Sequence, residues 1–151
     1  MAVDGYSNTE WQAQGNTLEG SFSPTQLFTA EDDIKTSAAL YKTNQNIAVL
    51  TILAKDATGD LVPWDPTATV AVTGGASSQT APSPVAFPVG VAAADMDTRA
   101  GGFNADTYGP YYCGGCFNPD LLVWPAGLTT YETRMAALER WGAPFRVKRL
   151  L

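Results

Sequence analysis

The chain has 151 residues, 45% of them hydrophobic and 11% aromatic, which supplies one real core and too little length for two comfortable domains. Histidine is absent and the formal net charge is −6, which removes the usual general base, triad member and commonest metal ligand and leaves few cations for a nucleic-acid backbone. No run of about 18 apolar residues could span a bilayer, and Met1-Ala2-Val3-Asp4-Gly5 has neither the basic end nor the apolar stretch of a secretory signal, so the expectation is a soluble intracellular product with no nucleic-acid or membrane partner.

Residues 1–26 are mostly Gly, Ser, Asn, Thr, Gln and Glu, with Tyr6, Trp11, Leu18 and Phe22 interspersed. Such a stretch buries too little apolar surface to offset its ordering entropy and is expected to be a mobile arm until a partner surface is supplied. A purely solvating tail has little use for Trp11 or Phe22, so these residues read as anchors. The ordered domain, 27–151, is expected to begin around Leu27 to Ile34.

Ile34 to Leu40 is strand-like, and Ile47 to Ala54 is a continuous apolar, β-branched run that fits one strand covered on both faces. Asp56-Ala57-Thr58-Gly59-Asp60 has turn chemistry and leads into Leu61-Val62-Pro63-Trp64-Asp65, where Pro63 argues for a sheet edge. Thr73 to Pro84 reads as a surface loop, Val85 to Ala94 as renewed β sequence, and Asp95 to Pro110 as a second loop. Tyr111 to Phe117 has the form of two strand ends joined by Gly114-Gly115, whose glycines tolerate the positive φ angles of a tight hairpin.

One helix follows. Thr129 and Glu132 have capping-box spacing, Tyr131, Met135 and Leu138 share a face, and Gly142 is placed to end it. Phe145 and Val147 then alternate with Arg146 and Lys148 as a short half-buried strand. The expected class is α+β, β-rich, with one main C-terminal helix and no internal repeat.

Charge is unevenly placed. Asp4, Glu10, Glu19, Glu31, Asp32 and Asp33 precede the first basic residue, Lys35, whereas Arg134, Arg140, Arg146, Lys148 and Arg149 crowd the end. Two solvated segments of opposite sign explain this, as do an acidic arm and a basic tail that meet complementary surfaces in an assembly.

Among residues that could carry chemistry, Cys113-Gly114-Gly115-Cys116 supplies two thiols where a structural zinc site wants four ligands, so no metal is expected within one chain. Structural cysteines, a cross-hairpin or intersubunit link and a redox pair all remain readings, the last lacking its usual place at a helix start. Asp95 with Asp97 and Asp32 with Asp33 read as turn acids rather than an acid–base pair. No phosphate-binding loop, nucleophile elbow or dinucleotide fingerprint occurs, so neither enzyme nor cofactor is expected. Trp11, Trp64, Trp124 and Trp141 suit core or interface packing; the competing use is a carbohydrate-binding face of exposed tryptophans.

The order of segments resembles the lambda-type head decoration family of bacteriophages. Leu27-Phe28-Thr29-Ala30, the Ile47–Ala54 run and Thr58 to Asp65 resemble its first half, which carries a "leucine, variable, variable, tryptophan or tyrosine, aspartate" element here ending in Trp64 and Asp65. Pro88 to Asp97, with Gly90, resembles its "alanine-valine-glycine" strand, and Tyr112 to Asn118, with Gly115 and Phe117, its "tyrosine, x, x, glycine, x, phenylalanine" element. Leu121-Leu122-Val123-Trp124-Pro125 resembles its "leucine-tryptophan-proline" signature before the terminal helix. The longer arm, the extended loops and the two cysteines depart from the pattern. The resemblance implies a homotrimer on three-fold and quasi-three-fold sites outside an expanded capsid, with the major capsid protein as partner. It also implies an arm, with Trp11, Leu18, Phe22, Leu27 and Phe28, that orders against the shell.

Overall fold

The computed structural model describes residues 26–30, 33–74, 79–104 and 107–149. Their framework is a five-stranded sheet. Its strands are β1 (Lys35–Leu40), β3 (Ile52–Lys55), β4 (Leu61–Pro63), β7 (Pro88–Ala92) and β9 (Tyr108–Gly114), in the order β1-β9-β7-β3-β4 with every neighbouring pair antiparallel. Three short two-stranded sheets surround it: β2 (Asn46–Ile47) with β8 (Met96–Asp97), β5 (Thr69–Val72) with β6 (Gln79–Pro82), and β10 (Cys116–Phe117) with β11 (Arg146–Val147). The α-helix found among the described residues is α1 (Tyr131–Trp141). The domain is thus β-rich with one helix near the C-terminus.

Strand periodicity explains how one sheet serves two cores. Successive side chains point to opposite faces. Ile52 and Ala54 of β3, Val62 of β4 and Val91 of β7 join Trp64, Phe117, Leu122, Leu138, Phe145 and Val147 on one side. Leu53, Leu61 and Ala92 join Tyr41, Ile47, Met96 and Tyr111 on the other. Pro63 lies in β4, the outermost strand, where its missing N–H costs no ladder bond, as its sequence implied.

The helix begins one residue later than its spacing predicted. Thr130 is the N-cap: its Oγ1 accepts from the Thr133 N–H at 3.3 Å, and the Thr133 Oγ1 accepts from the Thr130 N–H at 3.2 Å, so Thr133 takes the part assigned to Glu132. Gly142 ends it at φ +65, and Leu138 is buried with Tyr131 and Met135 half-buried beside it.

Four expectations need correction. The Ile47–Ala54 run is not one strand: Leu50 takes φ +66 and splits it, with the Val49 N–H donated to Asp95 Oδ1 at 2.7 Å and the Leu50 N–H to the Ala92 carbonyl at 2.8 Å. Those tertiary acceptors hold a left-handed residue that a leucine adopts only at a cost. The supposed loop from Thr73 contains β6, paired with β5 as an exposed ribbon, and the one from Asp95 contains β8 and the start of β9. Finally, Gly114-Gly115 does not close a hairpin. β9 pairs with β1 and β7, whereas β10 pairs in parallel with β11, and Gly115 at φ +135 turns the chain off the central sheet.

Gly90 marks the tightest point of the sheet. A Cβ there would run into the Tyr112 carbonyl and stand 2.7 Å from Cδ2 of Tyr111, a ring with no room to retreat because it is buried. Gly90→Ala should therefore lower the unfolding free energy by about 2–3 kcal/mol or more, seen as an earlier urea midpoint at unchanged slope.

Candidate functional site

The chain enters the described domain beside β10. Leu27 accepts from the Asn118 N–H at 2.7 Å, Phe28 bridges Phe117, and the Thr29 N–H donates to the Cys116 carbonyl at 3.0 Å. Leu27 to Thr29 thus lie antiparallel to β10 on the side opposite β11. The Phe28 ring packs edge-on to Tyr112 at 5.5 Å and tilted to Phe117 at 5.4 Å, and Phe117 is met edge-on by Phe145 at 5.7 Å. Leu27 and Phe28 are therefore half-buried parts of the domain surface, while Trp11, Leu18 and Phe22 lie outside the described residues.

The other singled-out residues hold the fold. Trp64 is buried and donates its indole N–H to the Ala86 carbonyl at 2.8 Å. Asp65 is exposed, and its Oδ1 accepts from the Thr67 N–H at 3.0 Å and hydroxyl at 2.6 Å, closing an Asx turn. Trp124 donates its indole N–H to the Pro119 carbonyl at 2.8 Å, and the Arg134 guanidinium sits 5.1 Å from its ring centre. Pro125 accepts from the Leu128 N–H at 3.0 Å and shapes the turn into α1. Trp141 is half-buried between Phe87, edge-on at 5.3 Å, and Arg140 at 5.0 Å.

The cysteines look into different surroundings. Cys113 is half-buried with Sγ 3.6 Å from the Lys35 carbonyl, whereas Cys116 is buried with Sγ 3.5 Å from Thr29 Oγ1, and both are free thiols. Among the described residues no three His, Cys, Asp or Glu side chains gather as a metal site. No described helix is long and apolar enough to cross a membrane.

The carboxylates are occupied by structure. Asp97 receives both Nε and a terminal nitrogen of Arg99 at 2.8 Å, and that guanidinium holds its carboxyl below the usual range. Asp95 accepts the Val49 N–H. The Thr58 hydroxyl, with the backbone of Asp60 and Thr58 and the Lys42 ammonium, brings Asp56 down to about 2 from 3.8, against the opposing pull of burial. Basic groups that sequence order only hinted at collect around α1 and β11: Arg134 and Arg140 over tryptophans, and Arg149 over Tyr131 at 5.0 Å while pairing with Asp120 at 3.2 Å.

The family model of the bacteriophage lambda head decoration protein D matches residues 19–143. The chain belongs to that family. No curated protein matches it. Membership makes it a structural component of a phage head, associated with the capsid. The signature residues Trp64, Gly90, Gly115, Phe117, Trp124 and Pro125 fall within the matched span, each with a packing or chain-turning task.

Because Asp56 titrates lower when folded, its contribution to stability is complete above the unfolded carboxyl range and disappears as pH falls toward about 2. Thermal melts of Asp56→Asn between pH 5 and 2 should show a shallower acid loss than the parent, with little difference in slope above pH 5.

Proposed function

We propose that this head decoration protein is a non-enzymatic cement. It binds as a homotrimer to the major capsid protein at three-fold and quasi-three-fold positions on the outside of the expanded head, and it holds the shell against the pressure of packaged DNA. Neither nucleic acid nor membrane takes part. The observation that carries this reading is the family match across the folded domain. The fold supports it through the way the chain enters: residues 27–29 are stitched to β10, so whatever precedes them is tethered to a rigid body. That preceding segment carries Trp11, Leu18 and Phe22 among polar residues, a composition suited to ordering on a supplied surface. Three such segments on one trimer raise each other's effective concentration, so modest contacts suffice to clamp neighbouring capsid subunits.

The rival use, a sugar-binding face of exposed tryptophans, has little support in the described part. Trp64 is buried, and Trp64 and Trp124 both spend their indole N–H groups on backbone carbonyls.

Light scattering should return the mass of three 16.0-kDa chains, and the same sample should saturate expanded capsids stripped of decoration and raise their disruption temperature. Trp11→Ala with Phe22→Ala should lower capsid affinity by about tenfold or more, as loss of buried aromatic anchors does, and leave the trimer intact. A monomer without capsid affinity would sink the proposal.

A further inference from the structure

The small sheet at the chain entry ends in a strand edge that is unpaired among the described residues. Leu27 to Thr29 line one side of β10 and β11 the other, and the outer side of β11 meets no described strand. Arg146 and Lys148 donate their N–H groups to the Gly115 and Phe117 carbonyls at 2.9 and 3.0 Å, so the N–H and C=O of Val147 point away from β10. Such an edge is a template for another extended strand. Between it and the C-terminal half of α1 lies a groove of about 410 Å³, floored by Met135, Leu138, Ala143, Phe145 and Val147, with Glu139 on the helix side. Val147 is buried, whereas Arg146 and Lys148 on either side of it are exposed, and the described ion pairs use Lys42, Arg99 and Arg149 instead. One short edge thus combines open backbone groups, an apolar floor and two uncommitted cations.

We propose, as an inference that rests on the cement reading above, that the edge of β11 receives an extended segment of the major capsid protein in which one apolar residue stands between two acidic ones. Side-chain alternation dictates that pattern. In a strand laid alongside β11, the residue opposite Val147 points to the groove, and its two neighbours point to the face that carries Arg146 and Lys148. Carboxylates at those two places meet the cations across the strand pair. Glu139 beside the groove repels an acid placed there, so a register slip of one residue is penalised on both faces. The pattern also argues against a second copy as occupant. In this chain an apolar residue between two acids occurs once, at Asp95-Met96-Asp97, where Met96 is buried, Asp97 is held by Arg99, and Met96 and Asp97 pair with β2. Position points to the shell. Leu27 and β11 flank the same strand, so a surface that engages the chain preceding Leu27 passes within two strand spacings, about 10 Å, of the open edge.

The full chain and expanded capsids stripped of decoration test this. The Val147 amide should exchange near its intrinsic rate in the free protein and about tenfold or more slowly on the capsid. Arg146→Glu should lower capsid affinity about tenfold or more and flatten its dependence on salt. Lys55→Glu, the same change of charge on the central sheet, should leave both unchanged. Ala143→Trp, which fills the groove without altering charge, should weaken binding at an unchanged salt dependence. Carbodiimide treatment of decorated capsids should couple Lys148 to an acidic residue of the capsid protein, and Lys148→Arg, which keeps the charge but lacks the amine, should eliminate that product. Slow exchange at Val147 already in the free protein, a Lys148 product joining two copies of this chain, or equal affinities for the parent and Arg146→Glu would each overturn the proposal while the parent still binds. A parent chain that binds no capsid overturns the cement reading and this proposal together.

Discussion

Phe117 packs the small sheet of β10 and β11 against the central sheet, two units that share no strand pairing. Its ring is fully buried and touches Phe28 from the chain entry, Tyr112 from the central sheet and Phe145 just before β11, with centroids 5.4 to 5.7 Å apart. Aromatic pairs in such tilted and edge-on arrangements add roughly 0.5–1.5 kcal/mol each beyond their buried area. The cluster exists because Gly115 takes φ +135 and turns the chain off the sheet immediately after β9. Without that turn, β10 would continue the central sheet, β11 would have no partner, and residues 27–29 would have no edge to join. One backbone angle that glycine adopts freely therefore decides where both ends of the domain emerge.

This dependence explains how much could be read beforehand. Features governed by local rules were legible: the alternation of Ile52, Leu53 and Ala54, the edge position of Pro63, the buried face of α1 and its end at Gly142, and the in-out pattern of Phe145 to Lys148. Features governed by tertiary partners were not. Nothing near Leu50 signals a left-handed residue, since the groups that hold it are Ala92 and, through Val49, Asp95, more than forty residues away. The Gly-Gly pair was recognised as a turn but given the wrong consequence, because whether two glycines close a hairpin or send the chain to another sheet depends on which edges lie nearby. The capping box slipped by one residue because Thr129, Thr130, Glu132 and Thr133 offer two overlapping pairs. The pair Thr130 and Thr133, whose hydroxyls each accept the other's backbone N–H, won.

The site was legible in a different sense. The residues that carried the family resemblance proved to be those that build the domain, which is physically reasonable: a tryptophan whose N–H must reach one carbonyl and a glycine pressed against a tyrosine tolerate few replacements. Such residues identify the fold and hence the family. The basic surface around β11 had no motif at all, only a bias in charge order, and became visible when the fold put Arg146 and Lys148 along one strand whose outer edge is unpaired among the described residues.

A decoration protein of this design faces a conflict between solubility and adhesion. A surface able to clamp a capsid, with aromatic anchors and open strand edges, is equally able to pair with copies of itself. Net charge of −6 gives general repulsion between molecules, but it does not blunt a particular edge.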